Sequence, residues 1–110
     1  MPEIDVTQNL IGFTGSPILS KDSENGNDPE YLDFRTAAII ALRAPKEGLS
    51  AAEKYDIERL MSLIFRKDEV TLKSEDKTLV KDACAEILSP EVMAPMWRII
   101  DPDGYPGNGD

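Results

Sequence analysis

The stretch DFRTAAIIALRAP, residues 33–45, constrains the fold more than any other part of this chain. Asp33 stands where a helix N-cap would, its carboxylate placed to accept from a free backbone N–H of the first turn. Pro45 stops the helix, because it has no N–H to give and its ring clashes with the preceding turn. Between them Phe34, Ala37, Ala38, Ile39, Ile40, Ala41 and Leu42 leave hardly any polar side. A short helix that is apolar almost all round belongs at the buried centre of a bundle.

The sequence supplies helices to surround it. In GLSAAEKYDIERLMSLIFRKD, Ser50 and Glu53 have capping-box spacing, in which hydroxyl and carboxylate each satisfy a free backbone N–H. Ile57, Leu60, Met61, Ile64 and Phe65 then recur at helical spacing as one stripe. Lys54 with Glu58, and Asp56 with Arg59, fall on the solvent side at pairing distance. Val70 and Leu72 alternate with polar neighbours, which suggests a brief extended piece. Ser74 is expected to cap a third helix with Leu79, Val80, Ala83, Cys84, Ile87 and Leu88 on one face. Ser89 and Pro90 end that helix and open another, since proline is favoured at the first helical position.

SPEVMAPMWRIID, residues 89–101, holds the only tryptophan and two of the four methionines. Val92, Met93, Met96, Trp97 and Ile100 fit a helical stripe, but Pro95 interrupts it at a cost of about 3 kcal/mol. Either the last helix begins near Pro95 or packing kinks it there; a turn over 90–94 feeding a short terminal helix is the favoured expectation. The stretch reads first as the plug of the core, since methionine fills gaps and one large aromatic closes a small bundle. Its second reading is an interface ridge.

The first 33 residues differ in kind. EIDVTQ alternates Ile4 and Val6 with polar residues, as a half-buried strand would. FTGSPIL offers a Gly-Ser-Pro turn before Ile18 and Leu19, so a small hairpin is expected. KDSENGNDPE reads as a loop without an apolar anchor, and DPDGYPGNGD as a mobile tail. The chain thus divides into an acidic N-terminal segment (1–33), a helical domain (34–100) and an acidic Gly/Pro tail (101–110). Its expected fold class is mainly α: a small bundle of three to four helices with an N-terminal extended strand or β-hairpin.

Charge follows the same division. The net charge is −9, and 1–33 carries seven acids against one lysine, whereas 34–100 balances eleven acids with eleven bases. Binding nucleic acid by phosphate neutralisation needs a basic face, and no basic cluster is visible, so no direct nucleic-acid partner is expected. Mimicry of DNA would need carboxylates on a rigid surface, whereas here the surplus acid lies on loops. No stretch approaches the ~18 apolar residues of a membrane span, and MPEIDVTQ lacks the basic start and apolar run of a signal peptide. A soluble intracellular product with no membrane partner is the expectation.

Catalytic chemistry finds little to work with. There is no histidine, the commonest general base and zinc ligand, and only one cysteine. Cys84 lies on an apolar helix face, where a thiol behaves as a small hydrophobe. Neither acidic segment fits a calcium loop, which needs glycine at its sixth position: counting from Asp22 that position is Asn27, and from Asp101 it is Pro106. Phosphate-binding glycine motifs and GxSxG are missing too. No enzyme activity, metal or cofactor is expected.

The order of segments is similar to that of small, largely uncharacterised proteins of tailed bacteriophages and prophages. An acidic opening strand with a glycine–proline turn precedes FRTAAIIALRAP; a capped helix leads to DEVTLKSEDKTLVKDAC; the proline-rich SPEVMAPMWRIID closes the pattern. The likeness spans roughly residues 4–100, and the chain departs from it at Pro95 and in its Gly-rich tail. The resemblance implies a non-enzymatic phage-encoded accessory protein that binds another protein in virion assembly or as a minor virion component. It would reside in the host cytoplasm or the virion, with self-association an option. Ile4 and Val6 from the strand, and Met93, Met96 and Trp97 from the ridge, are the candidate partner-binding residues. The alternative is a small acidic inhibitor or regulator of a host enzyme or defence complex, acting through Asp22, Glu24, Asp28 and Glu30.

Overall fold

The computed structural model describes residues 3–21, 30–44 and 47–102, without the side chains of Ser20, Lys21 and Glu30. It is mainly helical. The elements in order are β1 (Ile4–Asp5), β2 (Leu19–Lys21), β3 (Glu30–Tyr31), α1 (Phe34–Arg43), α2 (Ala51–Arg66), β4 (Glu69–Val70), α3 (Ser74–Ile87) and α4 (Pro90–Ile100). Most of the expected loop KDSENGNDPE, and the tail from 103 on, lie outside the described residues.

Helix α1 is the hub, packing against α2, α3 and α4. Asp33 caps it, its carboxylate accepting from Thr36 N–H at 2.8 Å. Ala37, Ala38 and Ala41 are fully buried beside Phe34, and side chains this small let neighbouring helices approach closely. Coverage is not complete: Ile40 is 46% exposed, against its expected burial. The neighbours cover the face carrying residues 34, 37, 38, 41 and 42, and 100° per residue turns position 40 away from it.

Around α1, the capping box of α2 closes in both directions, at 3.1 Å from Glu53 N–H to Ser50 Oγ and 3.2 Å from Ser50 N–H to Glu53 Oε1. Ile57, Leu60 and Ile64 are buried. Phe65, expected on the same stripe, is 69% exposed; it stands at the stripe's edge one residue before the helix ends. Arg35 ties α1 to the far end of α2, donating to Ile64 O at 3.0 Å, to Lys67 O at 2.7 Å and to Asp68 Oδ1 at 2.9 Å. A cation there satisfies carbonyls that a helix leaves without partners.

In α3, Lys73 rather than Ser74 holds the N-cap position, without a side-chain bond. Ser74 is the first helical residue, and its carbonyl accepts from Thr78 Oγ1 at 3.1 Å. Two carboxylates, Glu75 and Asp76, favour this helix start through the macrodipole. Asp76, 5% exposed, accepts from Arg59 of α2 at 2.9 Å, which satisfies an otherwise costly buried charge.

Helix α4 departs from expectation: it runs unbroken from Pro90 to Ile100 with Pro95 inside. The lost backbone bond and ring clash cost about 3 kcal/mol. Fully burying Met96 and Ile100 returns about 1.5–3 kcal/mol each, and Pro95 is itself buried. Packing therefore outweighs propensity.

Candidate functional site

Three short segments of the N-terminal region meet around one point. Leu10 N–H donates to Leu32 O at 2.9 Å, Leu32 N–H to Ile18 O at 2.8 Å, and Ile18 N–H to Leu10 O at 2.9 Å. Each segment thus pairs with both others, making a three-way β junction. One arm runs through the Ile11–Pro17 bridge to a turn closed by Gly12 N–H to Ser16 O at 2.9 Å. The second is the β2–β3 ribbon, with Leu19 opposite Tyr31. The third runs through the Asn9–Asp33 bridge into α1.

Glycine is favoured by the backbone at one place in the first arm and fits closely at another. Gly15 adopts φ 84°, in the left-handed region. A Cβ on Gly12 would meet Ile18 Cγ1 at 3.3 Å and Glu91 Oε1 of α4 at 3.4 Å, so the arm lies close against the helix.

Pleat alternation decides what the junction shows. Leu10, fully buried, with half-buried Ile18 and Leu32, belongs to the hydrophobic core. The adjoining positions Ile11, Leu19 and Tyr31 turn the other way, and they are 45%, 49% and 46% exposed. Phe13, at the end of the first arm, is 83% exposed. A sheet face turned to water normally carries polar side chains; at Ile11, Leu19 and Tyr31 the outward side is apolar. Beside Ile11 a shallow depression of about 170 Å³ continues the surface onto Pro95, Arg98 and Ile99 of α4.

The residues first expected to meet a partner are mostly elsewhere. Ile4 and Val6 are buried, at 7% and 0% exposure. Their strand is already occupied, since β1 pairs antiparallel with β4, Ile4 opposite Val70, and Val6 N–H donates to Asp68 O at 2.9 Å. Met96 is fully buried. Trp97 is half-buried and latched onto α3: its Nε1–H donates to Lys81 O at 3.0 Å. Lys81 Nζ lies 4.6 Å from the ring centroid and 3.2 Å from Asp101 Oδ2. Met93 is half-buried against the core. These residues plug and clamp the bundle, in keeping with the first reading of that stretch. Asp22, Glu24 and Asp28 lie outside the described residues, and Glu30 is placed in β3 by its backbone alone.

Ile11, Phe13, Leu19 and Tyr31 were not singled out by sequence. The usable signal was the three apolar doublets Leu10-Ile11, Ile18-Leu19 and Tyr31-Leu32. In an extended strand, two adjacent apolar residues cannot both point inward.

The β1–β4 ribbon is acidic. Hydrogen bonds from the Thr7 side chain and backbone hold the Asp5 carboxyl below its ordinary value of 3.8. Opposite it, the Glu69 carboxyl is pushed above 4.5, first by its hydrogen bond with Glu3 and by that neighbour's charge, then by Asp5 and Asp68. Among the described residues, no group of three or more Asp, Glu or Cys is placed to hold a metal ion. No described helix is long and apolar enough to cross a membrane. Compared with protein-family models, curated proteins and solved structures, the chain matches none.

Proposed function

We propose that this chain is a non-enzymatic protein-binding module whose contact surface is the outward face of the β junction. The observation that carries the reading is the exposure of Ile11, Leu19 and Tyr31, each next to a residue of the β junction, with exposed Phe13 in the turn of its first arm. An apolar surface of that kind, grouped rather than scattered, marks an interaction site. Its surroundings define the partner. In sequence, residues 20–33 include five acidic residues and one lysine, so an apolar protein surface with basic groups beside it is the complement we favour. The likeness to small tailed-phage proteins makes virion assembly, or a place in the virion, the setting we favour.

The test is capture by the tagged chain from lysate of a phage-producing host, compared with the Ile11→Ser/Leu19→Ser variant. Both residues are half-exposed, so the variant should keep its helical circular dichroism. The expected result is a phage structural protein held through a high-salt wash by the parent chain and lost by the variant. Retention by the folded variant would sink the β-face reading. A host enzyme released by salt alone would favour the acidic inhibitor instead.

A further inference from the structure

The segment that carries Leu10 has two hydrogen-bonding edges, and the fold uses only one of them. Toward the junction, Leu10 N–H and Leu10 O are both bonded. On the same edge Gln8 O accepts from Phe34 N–H at 2.9 Å, and Gly12 N–H donates to Ser16 O at 2.9 Å. These bonds bracket Asn9 opposite Asp33 and Ile11 opposite Pro17, which makes both of them non-hydrogen-bonded pairs of an antiparallel ladder. Residues in such pairs turn their own N–H and C=O to the far edge. Among the described residues neither Asn9 nor Ile11 makes a backbone hydrogen bond, and both are exposed.

The positions facing them are closed off. Pro17, opposite Ile11, has no N–H and so blunts the outer edge of its own segment. Asp33, opposite Asn9, is already the N-cap of α1, its carbonyl accepting from Ala37 N–H at 3.2 Å. No proline or helix start blocks the edge at Asn9 and Ile11. Beside it the shallow depression continues onto Pro95, Arg98 and Ile99 of α4.

From these open backbone groups we infer that the edge at Asn9 and Ile11 receives an extended strand of a protein partner. The inference rests on the β face, to which Ile11 belongs, being a binding surface, and it names the form in which the partner arrives. Asn9 and Ile11 each offer one donor and one acceptor in the same direction, with one residue between them. An extended chain repeats its own donors and acceptors at that spacing, whereas a helix has spent its backbone groups on itself. Every second side chain of the added strand falls on the side of Ile11. The partner segment is therefore apolar at alternate positions and free of proline where it pairs.

Amide exchange of the full chain, followed by NMR, tests the edge itself. Leu10 and Gly12 N–H should exchange slowly and Asn9 and Ile11 N–H fast; slow exchange at all four overturns the inference, because the edge is then already covered. The binding test uses a displayed library of random short peptides selected on the chain. The expected binders are apolar at alternate positions and slow the exchange of Asn9 and Ile11 N–H. Their affinity should fall by about tenfold or more for Asn9→Pro, which removes a donor and sets a ring against the added strand. Circular dichroism checks that this variant is folded. If it is not, an ester in place of the peptide bond before Ile11 deletes that N–H and keeps the side chain. Binders that respond to Ile11→Ser/Leu19→Ser but not to either backbone change overturn strand addition and leave the β-face reading standing. Binders indifferent to all of these folded variants overturn both. A library that yields no binder overturns the inference, with lysate capture still deciding the β face. Protection of Asn9 and Ile11 that grows with protein concentration alone overturns it in favour of a second copy.

Discussion

Helix α4 and the β junction are both rich in large apolar side chains. The sequence offered Met93, Met96 and Trp97 of α4 as candidate contacts, as the second reading of that stretch, and no residue of the junction. They behave in opposite ways. Met96 and Ile100 are fully buried and Trp97 is bonded to Lys81 O, whereas Ile11, Leu19 and Tyr31 remain about half exposed. The difference comes from the two periodicities. A helix gathers residues three and four apart onto one stripe, so α4 can turn its large residues inward together. A strand sends neighbours to opposite faces, so an apolar doublet must show one of its members unless something covers it. An adhesive-looking run is therefore better evidence of a surface when it lies in extended chain than when it lies in a helix.

The sharpest way to break this comparison is to truncate neighbours in one doublet. Leu10→Ala removes a fully buried side chain and should cost about 2–5 kcal/mol in urea denaturation. Ile11→Ala should cost under about 1 kcal/mol, as changes near the surface usually do. Equal losses would mean that the outward face is as buried as the inward one, and the site would vanish. On the helix side, Trp97→Phe deletes the donor to Lys81 O while keeping most of the ring, and should cost about 1–2 kcal/mol. No measurable loss would mean that the ring is not latched and would return the ridge to the list of surfaces.

The smallest effect concerns the β1–β4 ribbon, which ties the start of the chain to the bundle. Glu69 binds its proton more tightly in the folded chain than its ordinary 4.5. Stability from this group is therefore lost as pH rises from 4.5 through the raised value, and at neutral pH four carboxylates repel one another there. Glu69→Gln should raise the melting temperature slightly at neutral pH and lose that advantage below pH 4.5. Asp5 has the opposite sign, its hydrogen bonds from Thr7 contributing stability above 3.8 that is lost as pH falls through its lowered value. An equal effect of Glu69→Gln at both ends of the range would show that charge at this ribbon is not what the substitution removes.

Legibility in the sequence differed from element to element. The start of α2 could be read outright, because Ser50 and Glu53 satisfy backbone groups within their own turn. Asp33 was legible for the same reason. Ser74 misled by one residue, since a serine on the first turn looks the same on either side of a helix boundary. Pro95 misled further: its local penalty was read correctly, but the compensating burial of Met96 and Ile100 comes from other elements. Of the candidate site, the acidic character of the ribbon was visible and the apolar face was not. Finding that face required knowing that Leu10, Ile18 and Leu32 converge.

What the sequence by itself determined is helices α1 to α3, the caps of α1 and α2, the central place of the 34–42 segment and the segregation of acid to the flanks. All of these depend on neighbours within a turn or two, or on composition. Only the tertiary structure decided that β1 would be consumed by β4, that Trp97 would clamp inward, and that one face of the junction would stay uncovered. Those outcomes depend on partners far apart in sequence, Ile4 opposite Val70 in the β1–β4 pair and residues 16 apart in the Trp97 bond. The pattern of a segment says which of its faces are apolar, but burial is a property of what packs against it.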